Sequence, residues 1–147
     1  MKHVTHSEQE TRAIAAEFAE TLTGGEIVAL VGDLGSGKTT FVRGVVEALG
    51  SSARVESPTF TVMNEYPVGE RGSGFGDRDS VRRVVHIDLY RFKDPAHLEG
   101  IALDDVMRDD TVVFVEWPDV FGESFAKPDR EVRFTFIDEN TREIEIV

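Results

Sequence analysis

The stretch Gly32-Asp33-Leu34-Gly35-Ser36-Gly37-Lys38-Thr39-Thr40-Phe41, GDLGSGKTTF, decides how the rest of the 147-residue chain is read. Gly32, Gly37, Lys38 and Thr39 match the pattern G-x-x-x-x-G-K-[ST], in which glycines let backbone N–H groups wrap a polyphosphate and the following helix adds the positive end of its dipole. Such a loop needs a buried strand before it and a helix after it. Ile27 to Val31 is continuously apolar, as in a strand covered on both faces. Phe41, Val42, Val45, Val46 and Leu49 keep helical spacing from Thr39 to Leu49, and Gly50 stops the helix. Gly32, Asp33, Leu34, Gly35, Ser36, Gly37, Lys38, Thr39 and Thr40 are therefore the expected phosphate cradle. Lys38 is expected to reach the β- and γ-phosphates, and the Thr39 hydroxyl to bind Mg²⁺.

A metal-bound nucleotide also requires an acid at the end of a neighbouring apolar strand. Two strands end that way: Val84-Val85-His86-Ile87-Asp88 and Val112-Val113-Phe114-Val115-Glu116. On pattern alone either carries the metal carboxylate. His86, inside the first of these strands, reads as a satisfied structural histidine. The guanine-reading pattern N-K-x-D is absent, which points to ATP. The stretch from Phe121 to Arg130 offers only Lys127 and Arg130 as cations for a closing lid, so an independent small-molecule kinase is the weaker reading.

The remaining chain fits one P-loop α/β domain over residues 1–147, with a mostly parallel central sheet flanked by helices and a C-terminal β-hairpin. Ser7 to Glu10 has capping-box spacing, and Ile14, Phe18 and Leu22 follow at four-residue steps, so a helix is expected from Ser7 to Leu22. Thr59 to Tyr66 reads as a strand, Gly69 to Ser80 as a glycine- and serine-rich loop, and Asp94 to about Met107 as helical. Val132, Phe134 and Phe136 alternate onto one face, followed by a turn at Asp138 to Thr141 and by Ile144 and Ile146.

The formal net charge is -12, unevenly spread: residues 1–73 hold 10 acids and 6 bases (net -4), residues 74–147 hold 18 and 10 (net -8). Arg82-Arg83 and Arg91 with Lys93 are the nearest approach to a basic cluster, so direct tight binding of nucleic acid by this chain alone is not expected. A protein partner suits the acidic exterior better. No cysteine is present, which excludes thiol chemistry and points to a reducing cytoplasm. The start MKHVTHSEQE has no signal-like apolar run, and no membrane segment is expected.

Four blocks, GDLGSGKTT at Gly32 to Thr40, SPTF at Ser57 to Phe60, HIDLYRF at His86 to Phe92 and VEWP at Val115 to Pro118, occur in an order that resembles the TsaE (YjeE) family. The Thr11 region and the C-terminal hairpin are also similar, so the resemblance spans most of the chain. These are small bacterial ATPases required for threonylcarbamoyladenosine (t6A) modification of tRNA. The resemblance implies that ATP sits on the P-loop and that Thr39 and Glu116 hold Mg²⁺. It implies Asp88 as a second acid needed for hydrolysis, Thr59 as a sensor in a switch-like loop, and Trp117 beside the metal carboxylate. It further implies that the chain acts on an assembly of TsaD and TsaB and does not itself transfer the threonylcarbamoyl group. Two departures bear on partner-facing geometry: the shifted glycine in Leu98 to Asp104, and a Gly69 to Ser80 segment longer than in many relatives.

Overall fold

Strand β2 (Ile27–Val31) lies at the centre of the sheet, which has seven strands among the described residues. The computed structural model describes residues 1–33, 35–51, 55, 63–69, 81–88, 106–116 and 128–147. The other elements are β1 (Lys2–Thr5), α1 (Glu8–Ala19), α2 (Lys38–Ala48), β3 (Met63–Pro67), β4 (Arg83–Asp88), β5 (Thr111–Glu116), β6 (Arg130–Asp138) and β7 (Thr141–Ile146). The sheet order is β1-β7-β6-β2-β5-β4-β3. Its central pairings, β6 with β2, β2 with β5 and β5 with β4, are parallel, and the flanking strands β1, β7 and β3 pair antiparallel. The expected mixed α/β architecture with a parallel centre is the observed one.

Sequence explains the centre strand by strand. β2, β4 and β5 are runs of β-branched and aromatic residues with almost every position buried, the composition of strands covered on both faces. On one face Val28, Leu30, Val84, Val112 and Phe114 join the core that α1 and α2 supply through Ala15, Phe18, Phe41, Val42, Val45 and Val46. Phe18 sits 5.4 Å from Phe41 and 6.4 Å from Phe114, and Phe41 meets Phe134 edge-on at 5.5 Å. Each such pair adds roughly 0.5–1.5 kcal/mol beyond area burial.

Two of the expected helices, those from Ser7 and from Thr39, are present with small changes at their ends. α1 begins at Glu8 behind an N-cap at Ser7, whose side chain accepts from Glu10 N–H. The Glu10 carboxylate accepts from the N–H of His6 and so closes the box one residue earlier than the simple pattern. α2 starts at Lys38, and Gly50 follows its end with φ of +88°.

Two features were not expected. β1 is a four-residue edge strand, held to β7 from Lys2↔Glu145 to Thr5↔Arg142. The C-terminal hairpin is not an appendage, because β6 pairs in parallel with β2 from Val28↔Arg130 to Val31↔Arg133. Val132 and Phe134 are buried as expected. Phe136 is 49% exposed, lying past the end of the core under the Arg142 guanidinium, 4.4 Å from its ring centre. The strand expected from Thr59 is seen from Met63; residues 59–62, positions 70–80 of the expected loop, and nearly all of the helical stretch from Asp94 lie outside the described residues.

The α1–α2 contact is close because Gly44 has no side chain. A Cβ there would lie 2.7 Å from Ala15 Cβ, 2.8 Å from Arg12 Cα and 2.9 Å from Arg12 O. Alanine gains about 1 kcal/mol of helix propensity over glycine, but overpacking against backbone costs up to about 3 kcal/mol. Gly44→Ala is therefore expected to lose about 1–2 kcal/mol net, read as a lower melting temperature. Melting at or above the wild-type temperature would contradict this packing.

Candidate functional site

The loop after β2 carries the features of an anion cradle. Gly35 and Gly37 have φ of +77° and +106°, values an L side chain resists. Gly32 is required for space: a Cβ would come within 2.7 Å of both Phe134 O and Ser36 Oγ. Ser36 N–H donates to Asp33 O at 3.1 Å, which closes the turn. Gly37 is the N-cap of α2, with no side-chain cap and no acid in the first turn. The opening N–H groups of that helix are thus left for a ligand. Lys38 is buried, and its Nζ donates to Gly32 O at 2.6 Å.

Asp88 and Glu116 end adjacent parallel strands and stand opposite one another in register. Glu116 also pairs with Leu30 of β2, so its strand is the one directly beside the P-loop strand, and Asp88 lies one strand further out. Both carboxyls are buried, at 5% and 9% exposure. Burial by itself would raise the Glu116 carboxyl. His86 beside it, the Lys38 ammonium and a hydrogen bond with Asp88 outweigh that and hold it below the ordinary carboxylate range. Glu116 is thus an anion poised beside a cation-bearing loop.

A cleft of about 720 Å³ joins these groups, a size suited to a nucleotide. Its floor contains Gly35, Gly37, Lys38, Thr39 and Thr40, with Asp88 and Glu116 at one side. Two walls were not assigned from the motifs. One is the β1–α1 junction, Thr5 to Glu8 with Thr11, fastened by a 2.9 Å hydrogen bond between the buried Thr5 and Thr11 hydroxyls. The other is the β6–β7 turn, Glu139, Asn140 and Arg142. Arg142 ties that turn to the loop by donating from Nε to Gly35 O at 3.3 Å. The similarity of the Thr11 region and of the hairpin to the family was the one sequence signal for these walls.

Of the expected site residues, Gly32, Asp33, Gly35, Ser36, Gly37, Lys38, Thr39 and Thr40 form the loop and helix start, and Lys38, Thr39, Asp88 and Glu116 share the cleft. Leu34, Thr59 and Trp117 lie outside the described residues. His86 departs from expectation. It is fully buried, but neither ring nitrogen has a hydrogen-bond partner among the described residues. Its Nε2 lies 3.5 Å from Glu116 Oε1.

The donor set fits Mg²⁺ bound together with a nucleotide. Among the described residues no group of three or more His, Cys, Asp or Glu side chains forms a metal cage. A hydroxyl and one or two carboxylates suit an ion that takes few protein ligands and completes its shell with phosphate and water. No described helix is long and apolar enough to cross a membrane.

Comparison with known proteins bears on the fold and the family. Residues 5–144 match the family model described as threonylcarbamoyl adenosine biosynthesis protein TsaE. The chain is 34% identical to a tRNA threonylcarbamoyladenosine biosynthesis protein TsaE from Bacillus subtilis, over 98% of this chain and 83% of that one. It is 36% identical to the protein of the same name from Aquifex aeolicus, over 97% and 92%. A crystal structure of YdiB from Bacillus subtilis superposes with a TM-score of 0.73 at 27% identity, covering 99% of this chain and 83% of the other. With a family model matching nearly its whole length and relatives above 30% identity over most of theirs, the chain belongs to the TsaE family.

Proposed function

We propose that this chain is a partner-dependent Mg-ATPase required for t6A modification of tRNA, acting on a TsaB–TsaD assembly and not transferring the threonylcarbamoyl group itself. The observation that carries the ATPase reading is the register pair Asp88↔Glu116 at the ends of β4 and β5, in one cleft with Lys38 and Thr39. The tRNA-modification reading is supported by the family and by the names of its members. The acidic exterior and cysteine-free composition support a protein partner and a cytoplasmic setting.

In this reading the loop N–H groups and Lys38 hold the β- and γ-phosphates, with Lys38 exchanging its bond to Gly32 O for phosphate oxygens. Thr39 and Glu116 would hold Mg²⁺, which would supply neutralisation of the charge on the phosphates. Asp88, beside Glu116, orients the attacking water or the water shell of the site. The nucleoside end lies between the β1–α1 junction and the β6–β7 turn, the walls that complete the cleft. Thr59 and Trp117 keep the sensor and metal-adjacent roles that the family resemblance implies.

The test is ATP hydrolysis by the full chain, with and without purified TsaB–TsaD. Slow turnover alone and clear stimulation by the assembly are expected, together with negligible tRNA binding by the isolated chain at physiological salt. Phosphorylation of a metabolite without partners would favour the kinase reading instead.

A further inference from the structure

We propose that His86 is a positioning residue for Glu116: its Nε2–H holds one carboxylate oxygen, leaving the other for the cation. The inference rests on the reading of Glu116 as a Mg²⁺ ligand. Three observations carry it. First, His86 is fully buried, on the face of β4 that also bears Val84 and Asp88, and its register partner on β5 is the buried Phe114. An apolar side chain would fill such a position without the cost of burying two ring nitrogens. Second, neither nitrogen has a hydrogen-bond partner among the described residues, and a buried polar group left so is an exception that calls for a role. Third, Nε2 is 3.5 Å from Glu116 Oε1, too long for a formed hydrogen bond but within reach of one after a small rotation of the carboxylate.

The chemistry favours orientation over packing. A carboxylate bound to a cation through one oxygen gains from a donor on the other, which fixes its plane and restrains it from turning onto the Lys38 ammonium. Asp88 donates to Glu116 only in its protonated form and Lys38 is needed at phosphate, so among the described residues beside Glu116 the imidazole of His86 is the group able to donate to it whatever the state of Asp88.

Glutamine and asparagine substitutions separate position from polarity. The amide nitrogen of His86→Gln reaches the place of Nε2, whereas that of His86→Asn reaches only the place of Nδ1. Each full-length variant is titrated with a fluorescent ATP analogue at a series of Mg²⁺ concentrations and again in EDTA, with thermal melting in parallel. For His86→Asn the Mg²⁺ needed for half-maximal binding should rise about 10-fold or more, the usual effect of losing an outer-shell partner. Its affinity in EDTA should stay within about twofold, and His86→Gln should recover most of the Mg²⁺ dependence. Equal Mg²⁺ dependence in wild type, His86→Asn and His86→Gln overturns the proposal, as does a parallel loss of EDTA affinity. A wild-type protein with no Mg²⁺-dependent nucleotide binding would instead overturn the reading of Glu116 beneath it.

Discussion

Lys38→Ala is expected to weaken ATP binding by about 30-fold or more, the range for truncating one partner of a desolvated charge pair, and to abolish measurable hydrolysis. The side chain is only 6% exposed and is already committed to the loop through Gly32 O at 2.6 Å. Its bond to a neutral carbonyl is weaker than one to phosphate, so phosphate draws it away at small cost. Removing it also withdraws one of the influences that keep Glu116 ionised. Lys38→Met retains the aliphatic stem and isolates the charge: it should lose affinity to a similar extent while melting near the wild-type temperature. Equilibrium titration with a fluorescent nucleotide and a phosphate-release assay read both effects. Unchanged affinity and turnover in both variants would remove the nucleotide from this loop.

The parts of the site that were legible in the sequence are the ones that local rules determine. The strand, glycine loop and helix from Ile27 to Leu49 are contiguous, and each step is dictated by its own residues: β-branched runs, glycines at positive φ, apolar positions at helical spacing. The two acids were legible as strand ends, but their pairing is a matter of sheet order, which places β5 between β2 and β4. β1 escaped because Lys2-His3-Val4-Thr5 carries a single aliphatic residue, itself exposed, and is defined by its partner β7, some 140 residues away in sequence by their register. β6 misled for a related reason. Its alternation is that of a strand with one open face, with Arg133 and Thr135 exposed, yet it pairs in parallel with the buried central strand β2. Alternation identifies the shared face of Val132, Phe134 and Phe136 but not where the core ends, and the core ends before Phe136. The walls of the cleft are distant in sequence and meet only when β1, β7 and β6 assemble.

Glu116→Ala and Asp88→Asn should fail differently. Glu116 lies on the strand beside the P-loop, is held below the usual carboxylate range, and has Lys38 close enough to contribute to that shift. A ligand that stays ionised binds a divalent cation across neutral pH, so its loss should raise the Mg²⁺ requirement for nucleotide binding by about 10-fold or more. Asp88 lies one strand further from the loop and shares a hydrogen bond with Glu116. Asparagine keeps its shape and a hydrogen-bonding oxygen, so nucleotide and Mg²⁺ affinities should stay within about threefold while turnover falls by about 10²-fold or more, the scale of a lost general-base or water-positioning group. The sign of the Glu116 shift adds a check. A depressed carboxylate contributes stability that is present above its ordinary value and is lost as pH falls through the depressed one. Protonation of Glu116 should accordingly contribute nothing to the pH dependence of Mg²⁺-dependent binding between about pH 8 and about pH 6, so wild type and Glu116→Ala should follow the same slope there. Titrating Mg²⁺ against bound nucleotide in both variants, beside single-turnover hydrolysis, distinguishes the roles. If Asp88→Asn loses the cation while Glu116→Ala loses only turnover, the metal carboxylate belongs to β4 and the two acids exchange their assignments.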